Sequence, residues 1–297
     1  MKTRFITGII GIILLICAVL LNELVFGLVI FLLSIIAMRE YLNCFKNTAH
    51  KPIKSIAYIV TLVLWPIMVL IAGVVDELIW SPDMNTYSEI PSLMFFISEF
   101  GFILCIAMLC LVLPVIFRSD KYNISDVAIT LFGIFYVPFL FSFVVLTRCL
   151  RHVGLYYVGM IFIGACVTDI FAYLVGCSIG KHKLLPKISP KKTIEGSIGG
   201  IVGAVVCMVL YGMYLNKHVS GLGMPLLVFA LIGLVTSIVS QLGDLFASAI
   251  KRYAGIKDYG NILPGHGGIL DRFDSIVFTA PVVYFLALFA ALMWGHG

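Results

Sequence analysis

The chain has 297 residues, of which 61% are hydrophobic and 12% are charged, and its mean hydropathy is +1.11. A water-soluble domain cannot carry so much apolar surface, so the composition excludes that class and predicts a polytopic membrane protein. The net charge of +5 does not indicate nucleic-acid binding, because the basic residues lie in short loops between apolar runs, where they determine topology and contact anionic head groups.

Nine apolar runs are predicted to cross the membrane as helices, at about 20 residues per span. They lie at 5–21, 24–38, 55–75, 93–117, 126–147, 157–178, 197–215, 225–250 and 275–294. The first two are short and are joined only by Asn22 and Glu23, which predicts a tight hairpin. Lys2 and Arg4 precede the first run as in a signal peptide, but no small-residue cleavage site follows. This run is therefore predicted to be an uncleaved first span. The fold class is therefore an all-α polytopic membrane protein, a purely helical bundle.

The distribution of basic residues predicts the topology of these spans. If the N-terminus is cytoplasmic and the spans alternate, all but Arg148, Arg151 and Lys217 of the 20 Lys and Arg residues fall in cytoplasmic segments. The 76–92 loop, which carries acidic residues and no base, then lies outside. We therefore expect a multi-pass protein of the cytoplasmic membrane, with its N-terminus inside and its C-terminus outside.

The polar residues divide the chain into two regions. Residues 1–150 are apolar spans with featureless loops and are predicted to form a transmembrane scaffold. Residues 151–297 carry nearly all the polar constellations and are predicted to form the catalytic transmembrane region, with its site on the cytoplasmic face.

The first constellation is Asp169, which lies inside the sixth predicted span. An aspartate among apolar membrane residues is costly unless it is paired, bound to a metal or facing a cavity. Two interpretations are open: a carboxylate held by neighbouring hydroxyl groups, or a metal ligand or a group that orients one. We favour the second.

A lysine-rich run follows, with the sequence GKHKLLPKISPKKTIEG over residues 180–196. Ser189 before Pro190 is typical of a helix N-cap and first helical residue. Such a helix would direct free backbone N–H groups towards the cytoplasm, with Lys191, Lys192 and Thr193 in its first turn, and could cradle a polyphosphate. The alternative is a basic anchor for lipid head groups.

The eighth predicted span carries a polar face. Its polar residues recur at helical spacing and lie on one side of the helix: Ser237, Ser240, Gln241, Asp244, Ser248 and Lys251. A membrane helix must turn such a face towards protein or water. Hydrogen bonding in a core explains the serines, but it does not explain Asp244 together with Lys251, so we predict a functional face.

A glycine-rich loop and an acidic helix start complete the polar stretch. The loop runs from Lys257 to Gly268, and its glycines are expected to allow close approach of the backbone to a ligand. His266 has three interpretations: a hydrogen-bond donor to a phosphate group, a contact to the leaving group, or an ordinary loop histidine. Asp271 and Asp274 would share one face of a helix, because they are three residues apart.

The stretch from 248 to 274 also carries a dense set of identities at fixed spacing: Ser248, Lys251, Arg252, Lys257, Asp258, Leu263, Pro264, His266, Gly267, Gly268, Asp271, Arg272, Phe273 and Asp274. This set resembles the signature of the phosphatidate cytidylyltransferases (CDP-diacylglycerol synthases), without departure in residue or spacing. The lysine-rich run is similar to an upstream motif of the same family, so the likeness covers about 165–275. It implies the reaction of CTP with phosphatidate to give CDP-diacylglycerol and diphosphate.

That reaction assigns a role to each polar constellation. The residues predicted to be catalytic are Asp244, Asp271, Lys251, Arg252, His266 and Arg272. Those predicted to bind substrate are Lys191, Lys192, Thr193, Ser248, Lys257 and Asp258. The expected partners are CTP, phosphatidate and membrane lipids, with no nucleic acid, and the prediction leaves room for a homodimer.

Carboxylates without a cysteine or histidine cluster favour Mg²⁺ over zinc. Asp244 and Asp271 are the first-choice ligands, and Asp274 and Asp169 come next, around Mg²⁺ and a potential second cation. Two rival functions are weighed against this one. A transporter or channel would spread its polar groups through the membrane depth, whereas a CDP-alcohol phosphotransferase would carry a D-G-x₂-A-R array, which this chain lacks.

Overall fold

The structure is a computed structural model, and it describes residues 17–20, 22–80, 106–150, 153–219, 223–263, 265 and 267–294. Within these ranges the chain forms eight helices of ten or more residues: α1 (Glu23–Cys44), α2 (Lys54–Trp80), α3 (Ile106–Phe117), α4 (Ile124–Arg148), α5 (Gly154–Ile179), α6 (Ile194–His218), α7 (Leu226–Tyr253) and α8 (Leu270–Trp294). Between α5 and α6 lie two short strands, β1 (Lys183–Leu185) and β2 (Ser189–Thr193).

Five of these helices are long and apolar enough to cross a membrane by length and composition: α1, α4, α5, α6 and α7. The prediction of a helical membrane protein is therefore confirmed. The predicted number of nine spans and the orientation of the termini stay predictions. Almost all of the first predicted span, and the first half of the fourth, lie outside the described residues.

Helix α1 corrects the prediction of a short second span. It has 22 residues and runs to Cys44, whereas the apolar run ends at residue 38. Its start is capped by the Asn22 side chain, which accepts a hydrogen bond of 3.0 Å from the backbone N–H of Leu24. The charged residues Arg39 and Glu40 continue the helix instead of ending it, and Glu40 is buried.

The strand pair β1–β2 corrects two further predictions. The strands are antiparallel, with Lys183 opposite Thr193 and Leu185 opposite Ser189, so the protein is not purely helical. Ser189 and Pro190 lie in β2 and do not start a helix. Helix α6 begins at Ile194, where Thr193 is the N-cap and its hydroxyl accepts a hydrogen bond from Gly196 N–H at 3.1 Å. Strand pairing therefore overrides the local Ser-Pro signal, and Thr193 supplies the cap.

The chain divides into two compact units, namely residues 1–152 with 258–270, and residues 153–257 with 271–297. In the first unit α1 packs against α2 and α4. The hydroxyl of Tyr41 in α1 donates to the carbonyl of Ile129 in α4 at 2.9 Å, and the rings of Phe31 and Trp65 lie 5.0 Å apart. This unit therefore has its own core of apolar and aromatic side chains.

In the second unit α6 packs closely against α5 and α7 through small residues. Gly200 of α6 lies against α5, where an added Cβ would be 2.8 Å from the carbonyl oxygen of Thr168 and 3.1 Å from Cβ of Ala172. Between α5 and α7, Gly164 faces the side chain of Thr236 in the same way. These contacts bring together the helices that carry Asp169 and Asp244.

Replacing Gly200 with leucine is expected to destabilise the second unit. The new side chain would meet the backbone of α5, which cannot move aside as a flexible side chain can, so we expect a loss of about 1–3 kcal/mol. Thermal unfolding of the purified protein in detergent measures the effect. Val202→Leu is the matched control, because Val202 lies on the exposed face of the same helix. Equal midpoints for the two variants would contradict the close packing.

Candidate active site

Helix α7 turns its polar face towards protein, as predicted. Ser237, Ser240 and Gln241 are buried, and Asp244 is half-buried. Gln241 exchanges hydrogen bonds with Ser197 of α6: its amide donates to the Ser197 carbonyl at 3.2 Å, and its side-chain oxygen accepts from the Ser197 hydroxyl. The face is thus anchored one turn before Asp244.

Helix α8 lies against α7 at the position of Asp244. An added Cβ at Gly243 would lie 2.9 Å from the carbonyl oxygen of Asp274, and the rings of Phe246 and Phe278 are 6.0 Å apart. Asp271 and Asp274 are both in the first turns of α8, which begins at Leu270, ahead of the predicted span of 275–294. Only a glycine at 243 leaves room for this approach, and it brings the start of α8 alongside Asp244.

A single serine connects the carboxylates of α5 and α8. The hydroxyl oxygen of Ser275 lies 3.5 Å from a carboxylate oxygen of Asp169 and 3.5 Å from one of Asp274. The backbone N–H of Ser275 also donates to Asp274 at 2.8 Å. Ser275 was not predicted as a site residue. Its position four residues after Asp271, on the same helical face, is the sequence signal that could have found it.

Three carboxylates from three helices therefore share one region of the second unit. Asp169 and Asp274 both approach the Ser275 hydroxyl, and Asp244 follows Gly243, which packs on the backbone of Asp274, so the three carboxylates lie in one region and repel one another. Asp274 is only 6% exposed. Asp169 is exposed and Asp244 is half-buried, so the cost of bringing the three carboxylates close together falls mainly on Asp274, and nearby positive charge compensates part of it.

Basic side chains supply part of that compensation. Lys192 of β2 forms an ion pair with Asp244. Lys192 and Arg272 also act electrostatically on Asp169, and Lys251 acts on Asp274. The site thus alternates acidic and basic groups from β2, α5, α7 and α8, and it arises where the small residues let these elements meet.

Asp271 and Lys251 form a second, more deeply buried pair. The Lys251 ammonium donates to an Asp271 carboxylate oxygen at 2.8 Å, and the two side chains are 12% and 3% exposed. Asp271 belongs to α8 and Lys251 to the last turn of α7. This pair therefore joins the two helices directly beside the three clustered carboxylates.

Other predicted site residues lie elsewhere or carry different contacts. Arg252 is exposed and donates to the backbone carbonyls of Ile188 and Ile256, each at 3.4 Å. The side chains of Lys191, Lys257 and Asp258 are exposed, and Ser248 is half-buried on α7. Thr193 acts as the N-cap of α6. His266 and Pro264 lie outside the described residues.

The loop before α8 belongs to the first unit, and its glycines have local structural reasons. Gly265 and Gly267 have φ angles of 78° and 87°, which side chains rarely adopt, and Gly267 pairs with Leu263 in a short bridge. The expectation that these glycines admit a ligand therefore has a competing explanation, since the turn itself requires them.

The donor chemistry of the site suits a hard divalent cation. Asp169, Asp244 and Asp274 offer carboxylate oxygens of the kind that Mg²⁺ prefers, and their mutual repulsion would be relieved by a cation. In the part of the chain that the structure describes, no three His, Cys, Asp or Glu side chains are arranged to hold a metal ion. The metal ligands therefore stay a prediction.

The fold and site define a helical membrane protein with a cluster of acidic and basic residues where its transmembrane helices meet. A family model described as the cytidylyltransferase family matches residues 2–290, which is nearly the whole chain. The chain belongs to this family and is a nucleotidyltransferase.

Curated relatives point to the same family, two of them over nearly their full length. The chain is 35% identical to a phosphatidate cytidylyltransferase of Bacillus subtilis over 291 residues, covering 98% of this chain and 99% of the relative. It is 34% identical to one of Staphylococcus epidermidis over 289 residues, covering 97% and 99%. To one of Staphylococcus aureus it is 42% identical over 188 residues, covering 62% and 68%. The family resemblance in the sequence is thereby confirmed.

Proposed function

We propose that the protein transfers the cytidylyl group of CTP to phosphatidate, giving CDP-diacylglycerol and diphosphate. The observation that carries the proposal is the approach of three helices in a chain of the cytidylyltransferase family. Ser275 lies 3.5 Å from both Asp169 and Asp274, Gly243 packs on the Asp274 backbone beside Asp244, and Asp244 is paired with Lys192. The relatives that cover nearly all of this chain are named for the same activity.

The chemistry needs positioning and charge neutralisation rather than a strong base. A phosphate oxygen of phosphatidate, already ionised near neutral pH, attacks the α-phosphorus of CTP, and the bond from that phosphorus to the bridging oxygen of diphosphate breaks. Lys192, Lys251 and Arg272 bind phosphate oxygens of the two substrates. Their positive charges hold the reacting groups in line and stabilise the charge that develops on the departing diphosphate.

Asp244, with Asp169 and Asp274, would hold Mg²⁺ in this proposal, and Asp271 lies close by through its pair with Lys251. A bound Mg²⁺ supplies Lewis-acid polarisation of the triphosphate and offsets the repulsion among the carboxylates. With a cation on Asp244, Lys192 would be available to bind a phosphate oxygen of CTP, because its charge would no longer be needed to compensate that carboxylate. The charge distribution of the sequence supports a site on the cytoplasmic face, where CTP is found.

The activity is tested with purified protein, labelled CTP, phosphatidate and Mg²⁺. We expect a labelled lipid product that requires all three components, and release of diphosphate in equal amount. Chelation of divalent cations should abolish the product. If no labelled lipid forms under conditions where the Bacillus subtilis relative is active, the proposal is wrong, and a transporter, which forms no product from CTP, becomes the better explanation.

Lys192→Ala is expected to weaken the use of CTP. A hydrogen bond from a charged group to phosphate contributes about 1.5–3 kcal/mol, so kcat/KM for CTP should fall about 10- to 100-fold. The apparent affinity for Mg²⁺ should not fall, because the ammonium group of Lys192 no longer competes with Mg²⁺ for Asp244. Lys187→Ala is the control, since this lysine is exposed in the turn of the same strand pair. An unchanged kcat/KM for CTP in Lys192→Ala would count against the phosphate contact.

A further inference from the structure

The N-terminal helix α1 contains a buried carboxylate that the proposed mechanism does not use. Glu40 lies in the last turns of α1 and is 4% exposed, among buried apolar neighbours such as Met38 and Leu42. Burying an ionisable side chain is costly unless hydrogen bonds compensate. A buried carboxylate at this position therefore needs specific hydrogen-bond partners.

Those partners are the backbone amides at the start of α8. One carboxylate oxygen of Glu40 accepts from the N–H of Ile269 at 3.1 Å, and the other accepts from the N–H of Leu270 at 2.8 Å. The first N–H groups of a helix have no acceptor within the helix, and a negative charge is favourable there. Glu40 therefore acts as an N-terminal cap supplied from 230 positions earlier in the chain.

Glu40 also shapes the loop that precedes α8. An added Cβ at Gly268 would lie 2.5 Å from one Glu40 carboxylate oxygen, and one at Gly260 would collide with the other. The carboxylate is thus surrounded by the loop backbone at three points, namely Gly260, Gly268 and the amides of 269–270. All of these contacts lie within the first unit.

We propose that Glu40 is a positioning residue for nucleotidyl transfer, which holds the 258–270 loop and the first residue of α8 in the conformation that the reaction needs. The proposal rests on the proposed function. Leu270 is followed at once by Asp271, and Asp274 comes one turn later, so the cap determines where the first turn of α8 begins. Because both carboxylate oxygens of Glu40 are occupied by backbone amides, we assign it no contact with substrate.

Glu40→Gln provides the sharpest test. Glutamine has the size of glutamate, but only one of its two terminal atoms can accept a hydrogen bond, so its NH₂ group would face the N–H of Ile269 or Leu270. We expect kcat to fall about 10- to 100-fold, as for a small misplacement of catalytic groups, with KM for CTP changed little. Glu40→Asp, which retains both oxygens, should recover part of kcat. Ser34→Ala is the control, because Ser34 is buried in the same helix and donates only to the local carbonyl of Phe31 in the bonds described.

Hydrogen exchange gives a readout that does not depend on activity. The amides of Ile269 and Leu270 should exchange about tenfold faster in Glu40→Gln than in the unaltered protein, whereas Ser34→Ala should match it. If the unaltered protein forms no CDP-diacylglycerol, the proposed function fails, but the exchange experiment still tests the cap. Unchanged exchange together with unchanged kcat in Glu40→Gln would overturn the positioning role. A kcat that falls only in proportion to the fraction of the variant that is folded would overturn it as well.

A second variant approaches the same contact from the loop. Gly268→Ala must displace the Glu40 carboxylate, so it should lower kcat by a similar factor. Because both changes disturb one interaction, the double variant Glu40→Gln with Gly268→Ala should be no slower than the slower single variant. Multiplicative losses would indicate two independent structural defects and would contradict a shared positioning contact.

Discussion

Asp244→Asn is expected to reduce formation of CDP-diacylglycerol by about 1,000-fold or more while leaving the protein folded. Asp244 is the carboxylate that interacts with both Asp169 and Asp274, and it is the partner of Lys192. Asparagine keeps the shape of the side chain but removes the charge that would attract a cation. The loss should appear in kcat and in the apparent affinity for Mg²⁺.

The stability of this variant should not fall with its activity. The side chains of Asp244 and Lys192 are 26% and 24% exposed, although the Lys192 Nζ atom itself is buried. Asparagine can still accept a hydrogen bond from this ammonium group, so we expect the loss of the ion pair to cost about 1 kcal/mol. Removing one of three repelling carboxylates should offset that loss, so the thermal midpoint without Mg²⁺ is expected to stay level or rise. Asp120→Asn is the control for charge removal at an exposed position. Activity of Asp244→Asn within tenfold of the unaltered protein would remove Asp244 from the catalytic set.

Much of the second unit follows from helical periodicity. The polar face of α7 could be predicted because a membrane helix has few polar residues, and their spacing shows directly which side is buried. The helical pairing of Asp271 and Asp274 follows from the same rule. Residue spacing does not show which acidic residue each side chain contacts across helices. Lys251 pairs with Asp271. Asp274 instead shares the Ser275 hydroxyl with Asp169, which lies 106 positions from Ser275 in the sequence.

The errors have a common physical origin in contacts that are distant in sequence. Ser189 and Pro190 have the local chemistry of a helix start, but pairing with β1 makes them extended. Glu40 looks like a charge that ends an apolar span, yet the backbone amides of 269–270 compensate its burial and the helix continues. For the same reason the featureless scaffold predicted for residues 1–150 contains a carboxylate that caps the helix of Asp271.

The pair formed by Lys251 and Asp271 should separate stability from catalysis. Either Lys251→Met or Asp271→Asn removes this ion pair while the other member stays buried, which we expect to cost about 1.5–3 kcal/mol of stability. The double variant replaces the buried charges with neutral groups of similar size. We therefore expect its thermal midpoint to return close to that of the unaltered protein.

Activity should not return with stability in the double variant. Lys251 is proposed to bind a substrate phosphate, and Asp271 lies beside the carboxylates proposed to hold Mg²⁺, so all three variants should lose at least about 100-fold in kcat/KM. Thermal unfolding and product formation measured on the same preparations decide the matter. Recovery of both properties in the double variant would mean that the pair serves only to join α7 and α8, and that phosphate binding falls to Lys192 and Arg272.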